Sequence, residues 1–600
     1  MRRRHLLALA GTLPLLPIPP TRAAAPLRRV RPTDPGWPAP ARWEQLKRDV
    51  GGRLVELRSP FEACIDAPRG AACDALFKEL KNPYFIGDNP ALTQTTGWAD
   101  AWVSEPSAYA VAAHTTEDVA AAVNFARENK LRLVVKGGGH SYQGTSNAAD
   151  SLLIWTRAIN EIALHDGFVG RGCEGKQAPQ PAVTLGAGTI WIHAYNAVTT
   201  DAGRYVQGGG CMTVGVAGLI QSGGFGSFSK NYGMAAAGLL EAEIVTADGV
   251  TRTANACNEP ELFWGLKGGG GSSLGVVTRL TLRTRELPEF FGGVNATIQA
   301  TSDAAFRRLI GRMVAFYAES LFNPHWGEQI RFQPDNSVTI AMVFQGLDKP
   351  QAEAVWRPFL DWIAGSPQDF RVTTAPRIVS LPARNFWNPA LLKRAQGVVL
   401  SDDRPGAPAD NVFWAGNLGE TGVFLHAYQS TWLPASLLRK DRRELLADTL
   451  FAATRHWWVA WHCNKGLAGA PAEAVAAARD TAMNPAVLDA FALAIVATGG
   501  PPARPGVPGH EPDLALARQH AASIDAATGE LRKLVAEPGS YVSESNYFEP
   551  NWQRSFWGSN YPRLLAVKRQ YDPDGLFFVH HGVGSEDWSA DGFTRLAGRR

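Results

Sequence analysis

Apolar and polar positions follow two rhythms along the chain, and the change from one to the other divides it. In "AYAVAAHTTEDVAAAVNFARENKLRLVVKGGGH", residues 108–140, the pattern predicts strand, helix, strand. Thr115 or Thr116 precedes the helical stretch as a natural N-cap. Val119, Val123, Phe125 and Ala126 supply its apolar face, and Leu131 to Val135 form a buried strand. "AVTLGAGTIWIHAYNAV" predicts strand, tight glycine turn and helix; "LLEAEIVTADG" predicts a strand, and "ELFWGLKGGGGSSLGVVTRLTLRT" is read as helical. Residues up to about Arg285 thus form one α/β unit rich in glycine loops.

From about Leu287 the rhythm changes. Strand-like pieces ("NATIQA", "NSVTIAMVFQG") alternate with amphipathic helices ("AFRRLIGRMVAFYAE", "AEAVWRPFLDWIAG"). This predicts an antiparallel sheet with helices on one side. "GGPPARPGVPGHEP", Gly499 to Pro512, reads as an exposed loop, and Asp572-Pro573 stops a last helix. The expected division is 26–104 as an N-terminal extension, 105–286 as the glycine-loop unit, 287–538 as a second domain and 539–600 as a C-terminal segment.

Composition narrows the function classes. Over 600 residues, 45% are hydrophobic, 19% are charged and the net charge is +3, which gives no support to a nucleic-acid or acidic-membrane partner. The start, "MRRRHLLALAGTLPLLPIPPTRAAAP", has a basic head, a short apolar run and small residues at Ala23 to Ala25. Residues 1–25 therefore read as a secretory signal peptide, with Arg3-Arg4 fitting a twin-arginine variant, although the leading Ser or Thr is missing. A short membrane anchor is the competing reading. The expected destination is the periplasm or the exterior. Cys64 and Cys73 are close enough in sequence for a local disulfide in an oxidising compartment, and the pairing of Cys173, Cys257 and Cys463 is left open. No paired CxxC and no HExxH occurs, so no metal is expected.

Three glycine-rich loops recur: Gly137 to Gly139, Gly208 to Gly224, and Gly268 to Gly271. Such loops offer backbone N–H groups to anions such as a pyrophosphate. A Walker loop is absent, and "LGAGTIW" fails as a Rossmann fingerprint because Trp191 stands where close helix–strand packing needs a small residue. A dinucleotide held by another glycine arrangement remains. His140 and Cys211 each end a triple glycine, "GGGH" and "GGGC". An imidazole and a thiolate are the side-chain nucleophiles suited to attack an electrophilic ring, and glycines let the backbone approach a flat cofactor.

The segments "VVKGGGHSYQG", "GGGCMTVGVAGLIQSGGFG", "KGGGGSSLGVVT" and "GSNYPRLLAVKRQYDPDGLF" resemble, in order, the berberine-bridge-enzyme-like branch of the vanillyl-alcohol-oxidase flavoproteins. The resemblance implies an α+β fold: two α/β subdomains of the PCMH type holding FAD, plus an antiparallel sheet-and-helix substrate domain. It implies FAD bonded to His140 through the ring 8α-methyl and to Cys211 through ring carbon 6. Lys136, Gly137, Gly138, Gly139, Ser141, Gly144, Gly210, Thr213, Val214, Gly215, Gly218, Gly223, Gly224, Gly275, Val276, Val277, Asn560 and Tyr561 would surround the cofactor. Val214 is the position expected to gate dioxygen.

By the same resemblance the activity is hydride transfer from an alcohol or hemiacetal, including sugars, to the flavin, with dioxygen as acceptor and hydrogen peroxide as product. Alternatives are dehydrogenation or oxidative cyclisation of a secondary metabolite, or a non-catalytic protein with a vestigial flavin site. A base must reach the substrate hydroxyl. Tyr541 in "GSYVSESNYFEPNW" is the first candidate, Tyr142 the second, and Glu544 stands close by. The chain departs from the family pattern at Ser543, Phe225, Leu219 and Lys136. His580 and His581 are neighbours on an extended segment, so their rings are expected to face opposite ways, as structural or rim residues.

Overall fold

The computed structural model describes residues 27–596; the signal-peptide reading of residues 1–25 lies outside them. Leu54–Glu56, Tyr109–Ala112, Ser151–Trp155 and Arg132–Lys136 form a first sheet in that order, its last three strands parallel. The crossover helix Thr116–Glu128 is fixed at its start by a capping box in which Asp118 N–H donates to Thr115 Oγ1 at 3.3 Å and Asp118 Oδ2 accepts from Thr115 N–H at 3.1 Å. Val119, Ala122, Val123 and Ala126 follow helical spacing and are wholly buried against this sheet.

A second, antiparallel sheet runs Thr251–Asn255, Leu239–Val245, Val276–Glu286, Gln180–Gly186, Ile162–Phe168, with Arg204–Val206 pairing the far end of Val276–Glu286. Here the structure corrects the helical reading of 261–284. Only Pro260–Leu266 is helical, and the rest of the stretch passes through a glycine turn into the strand Val276–Glu286. Gly268 and Gly270 take φ of +115° and +94°, which ends the helix. Val276, Val277, Thr278, Thr281 and Thr284 are β-branched and pack better on a pleated surface.

The region after 287 builds a nine-stranded sheet: Phe370–Pro382, Phe290–Ala300, Ser337–Gln345, Trp326–Phe332, Val459–His462, Ala490–Gly500, Val423–Pro434, Thr95–Trp98, Trp102–Val103. Strand alternation divides its faces. Ile330, Phe332, Ile340, Phe344 and Trp461 face the helices Asp303–Phe316, Arg443–Thr454 and Leu514–Arg532. Gln329, Arg331, Ala341, Val343 and His462, from the alternate positions, face the glycine-loop unit.

The termini tie these parts together. The segment before 105 edges both the first sheet and the nine-stranded one, where Thr95–Trp98 runs parallel to Val423–Pro434. Phe577 bridges to Leu133, and the buried Arg29 donates to Gly592 O at 2.6 Å, so both ends close on the first sheet. Disulfides join Cys64 to Cys73 and Cys173 to Cys257, leaving Cys211 and Cys463 as thiols. The 499–512 loop is less exposed than its prolines suggest: Val507 is buried among Phe61, Phe77, Cys64 and Cys73, and His510 stacks on Phe77 at 3.5 Å.

His580 and His581 also depart from expectation. His581 adopts φ +51°, which cancels the strand alternation and brings both rings to one side, stacked 3.9 Å apart. Tyr547 lies over His580 at 3.7 Å and Trp552 over His581 at 5.3 Å. Burial, and then the neighbouring His580, hold His581 down to about 3. The folded ring therefore stays neutral where the unfolded chain takes up a proton, so stability falls as the pH drops from 6.5 towards 3. Chemical unfolding at pH 7 and pH 4.5 should show a smaller loss for His581→Phe, which keeps the stack without the titration, than for the unsubstituted protein. An equal loss would place the acid sensitivity elsewhere.

Candidate active site

Two glycine loops meet backbone to backbone. A Cβ on Gly138 would lie 2.8 Å from the Gly215 nitrogen, and one on Gly215 would lie 2.9 Å from the Gly138 nitrogen. No side chain fits between them, so the loops ending in His140 and following Cys211 share one wall. Thr213 Oγ1 lies 3.2 Å from His140 Nε2 and fixes the ring; Nδ1 has no hydrogen-bond partner among the described residues. Burial pushes His140 down to about 4, so the imidazole is neutral and keeps a lone pair for bonding.

The loop before Cys211 is held equally closely. Gly208 leaves room for Trp191, whose ring would lie 2.1 Å from an added Cβ, and Tyr195 Oη donates to Gly209 O at 2.7 Å. Trp414 Nε1 donates to Gly210 O at 3.2 Å. Asn417 Nδ2 donates to Cys211 Sγ at 3.2 Å, and the thiol points to Glu420 Oε2 at 3.7 Å. Burial, then the Glu420 carboxylate, push the Cys211 thiol well above its ordinary range.

Around these nucleophiles lies a cluster of acids and phenols. Glu328 sits within the strand Trp326–Phe332 at φ +63°, a strained conformation for a residue with a side chain, and accepts from Ser227 Oγ at 2.6 Å. Burial raises the Glu328 and Glu420 carboxyls. Glu544 receives both of its bonds from Lys465, at 2.5 and 2.6 Å. Tyr142 stacks on Tyr428 at 4.9 Å and hydrogen-bonds Glu420. The Tyr541 hydroxyl accepts from Gly224 N–H at 3.3 Å, its ring meets Phe225 edge-on at 5.1 Å, and burial, then Glu544, push its pKa up.

These acids and phenols, with Ser227 and Lys465, open on one cavity of about 1260 Å³, above the roughly 300–1,000 Å³ usual for a single small ligand. Gly137, Gly138, Gly139, Ser141, Gly210, Val214, Gly215, Gly218, Gly275 and Val277 line it beside His140 and Cys211, as do Tyr541, Tyr142 and Glu544. Other residues assigned to the cofactor are not on its wall. Strand alternation turns Val135 inward and Lys136 away, and the Lys136 ammonium is spent on the carbonyls of Asn89, Pro90 and Leu92 at 3.3, 2.6 and 2.8 Å. Gly144 at φ +68° makes room for Trp102, Gly223 for Met483 and Gly224 for Leu219. Val276 packs into the core below the first sheet, and Thr213 acts through His140. Asn560 donates to Met483 O at 2.7 Å, and Tyr561 bonds Glu586, which holds the tail helix in place.

Glu328, Glu420, Lys465, Arg331, Tyr428 and His462 carry no motif that sequence reading could recognise, and they arrive from strands and turns far apart in the chain. Adjacent acids or histidines in one motif would have been a signal; here the acids Glu328 and Glu420 and the phenol Tyr428 come from separate segments, and His462 and Lys465 from a fourth.

The wall fits a dinucleotide. On the glycine side Gln221 Oε1, Ser273 Oγ and His581 Nδ1 are buried without a hydrogen-bond partner among the described residues, as is Asn417 Oδ1 beside Cys211; on the sheet side so are His462 Nδ1 and Asn464 Oδ1. Buried polar atoms are normally paired, so two sets of unpaired atoms on opposite walls suit two polar ligands, a cofactor on the glycine loops and a substrate on the sheet.

Residues 107–255 match the family described as an FAD binding domain, and residues 540–584 match the one described as berberine and berberine like. The chain is 28% identical over 630 residues to the VAO-type flavoprotein oxidase VAO615 of Thermothelomyces thermophilus, covering 99% of this chain and 98% of that protein. The crystal structure of the VAO-type flavoprotein MtVAO615 from Myceliophthora thermophila C1 superposes with a TM-score of 0.76 at 24% identity, over 95% of this chain and 100% of that one. Glucooligosaccharide oxidase from Acremonium strictum, whose FAD is described as 6-S-cysteinyl and 8α-N1-histidyl, gives 0.61 at 17% identity, over 88% and 99%. With glycine loops, cavity and tail arranged in this way, the chain carries an FAD binding domain and a berberine-like C-terminal segment, is similar along nearly its whole length to a VAO-type flavoprotein oxidase, and is an FAD-linked oxidoreductase.

Proposed function

We propose that the protein is an exported oxidase whose FAD is bonded to both His140 and Cys211 and which oxidises an alcohol or hemiacetal, passing the electrons to dioxygen. The observation that carries this reading is the contact of Gly138 with Gly215, which brings a neutral imidazole and a free thiol to the wall of one cavity. The same pair of tethers is described for the Acremonium strictum enzyme. Bound FAD would supply the two-electron acceptor, taking a hydride from the substrate carbon.

The chain's own residues supply binding and proton transfer. The unpaired His462 Nδ1 and Asn464 Oδ1, with Arg331, offer contacts to substrate hydroxyls. Glu328 accepts the hydroxyl proton, because burial lifts its carboxyl towards the operating pH, which strengthens it as a base. Among the described residues no cation is bonded to the Tyr541 hydroxyl to favour the phenolate; it stays protonated and orients the substrate. Val214 on the wall leaves dioxygen room to approach, in keeping with peroxide production. Export is supported by two disulfides, which persist in oxidising compartments.

A second reading has its own observation. Phe386, Leu392, Ala395, Val398 and Trp414 make one side of the cavity apolar, which favours a bulky secondary metabolite over a sugar.

Acid-precipitated protein should stay yellow, with mass mapping finding flavin on the peptides of both His140 and Cys211; a colourless pellet would remove the tethers. A panel of sugars and aromatic alcohols with peroxide detection separates the two substrate readings. On any substrate found, Glu328→Gln should lower kcat by roughly 10²–10⁴-fold with little change in KM. Tyr541→Phe should cost less than about tenfold, and the reverse order would return the base to Tyr541.

A further inference from the structure

The short turn Ala415–Gly419, with Glu420 after it, is built around Cys211. Trp414 anchors it on Gly210 O at 3.2 Å, one residue before the cysteine. From the same turn Asn417 Nδ2 reaches Cys211 Sγ at 3.2 Å, and Glu420 Oε2 receives the thiol at 3.7 Å. Tyr142 hydrogen-bonds the Glu420 carboxylate. An amide donor and a carboxylate acceptor thus converge on one sulfur from a turn distant in sequence from its loop. This arrangement suits the ionisation of a thiol.

We propose that Glu420 is the general base that deprotonates Cys211 so that its sulfur can bond to the flavin ring, with Asn417 stabilising the thiolate. The inference rests on the two-tether reading above. Cys211 gives its Sγ proton to Glu420, and the sulfur lone pair forms the bond to ring carbon 6, whose hydrogen departs as a proton. The remaining electron pair and the two protons pass to dioxygen, which becomes hydrogen peroxide. The thiol, FAD and dioxygen yield the thioether and peroxide, with no other reactant.

A base is needed because a buried thiol held above its ordinary range ionises little unaided, and the thiolate is the nucleophile. The other charged groups that face the sulfur cannot serve as well. Lys465 favours the thiolate but its ammonium is taken by Glu544 at 2.5 and 2.6 Å, and Glu328 accepts from Ser227 at 2.6 Å while the Cys211 thiol donates to Glu420. Tyr428 and Tyr142 are phenols held well above their ordinary range.

The test follows the bond itself. In Glu420→Gln, peptide mapping of the flavin-loaded protein should find flavin on His140 and an alkylatable free thiol at Cys211. His140→Ala alone should keep its FAD through acid denaturation, while His140→Ala/Glu420→Gln should keep less than a tenth of it. Incubated in air, that double variant should acquire the tether faster as pH rises from 7 to 9, by about tenfold per pH unit, because hydroxide replaces the missing base; the rate in His140→Ala should change much less. Tethering in Glu420→Gln within twofold of the unsubstituted rate overturns the proposal, as does loss of even reversible FAD binding in that variant. If the unsubstituted protein has no flavin on Cys211, the two-tether reading itself falls, a result that mapping without any substitution already reveals.

Discussion

Gly138 and Gly215 touch through their backbones, and a methyl group on either would push the loops apart by more than packing could absorb. This contact decides how near the two nucleophiles come. The first loop leaves a parallel sheet and the second leads into a helix, Val216–Gln221, that packs on the second sheet. The two sheets also share a core, in which Val245 and Val276 of the second pack among Leu133, Leu152 and Ile154 of the first. Their meeting at two glycines creates a wall on which an imidazole and a thiol can reach the same flat ring. The nine-stranded sheet then closes the opposite side with its polar face.

Burial gives this wall its chemistry. His140 is held neutral, the Cys211 thiol is held protonated, and Glu328 and Glu420 are lifted towards neutrality. One physical cause, exclusion of water from charged forms, thus acts on each group with opposite sign for acid and base. In the proposed function it prepares carboxylates as proton acceptors and an imidazole as a nucleophile, and it leaves the thiol dependent on a neighbour. The strain at Glu328, a left-handed residue inside a strand, is maintained by the ladder on both sides of it, where Glu328 pairs with Met342 and Cys463 N–H donates to its carbonyl at 2.9 Å.

The sequence determined the local elements where its signals were redundant. Thr115 as cap, the Val119–Ala126 stripe and the run to Val135 agree with one another, and the helix and strand form where that agreement places them. The reading failed at 261–284, where a helical start was extended across four glycines into a β-branched run, and at His581, where one residue's positive φ reversed the alternation. Local pattern carries no information about such a reversal.

Which glycines mattered was likewise legible only in part. The triple glycines before His140 and Cys211 announced a close approach, but Gly144, Gly223 and Gly224 look the same in sequence and merely accommodate Trp102, Met483 and Leu219. By itself the chain fixed the two nucleophiles, their glycine approaches and the strand–helix order, because these depend on neighbours in sequence. Only the tertiary structure gathered Glu328, Glu420 and Lys465 around Cys211, turned Lys136 away and left His462 Nδ1 and Asn464 Oδ1 without partners among the described residues. Each of those outcomes depends on which strand lies beside which, and that is settled by burial across the whole molecule.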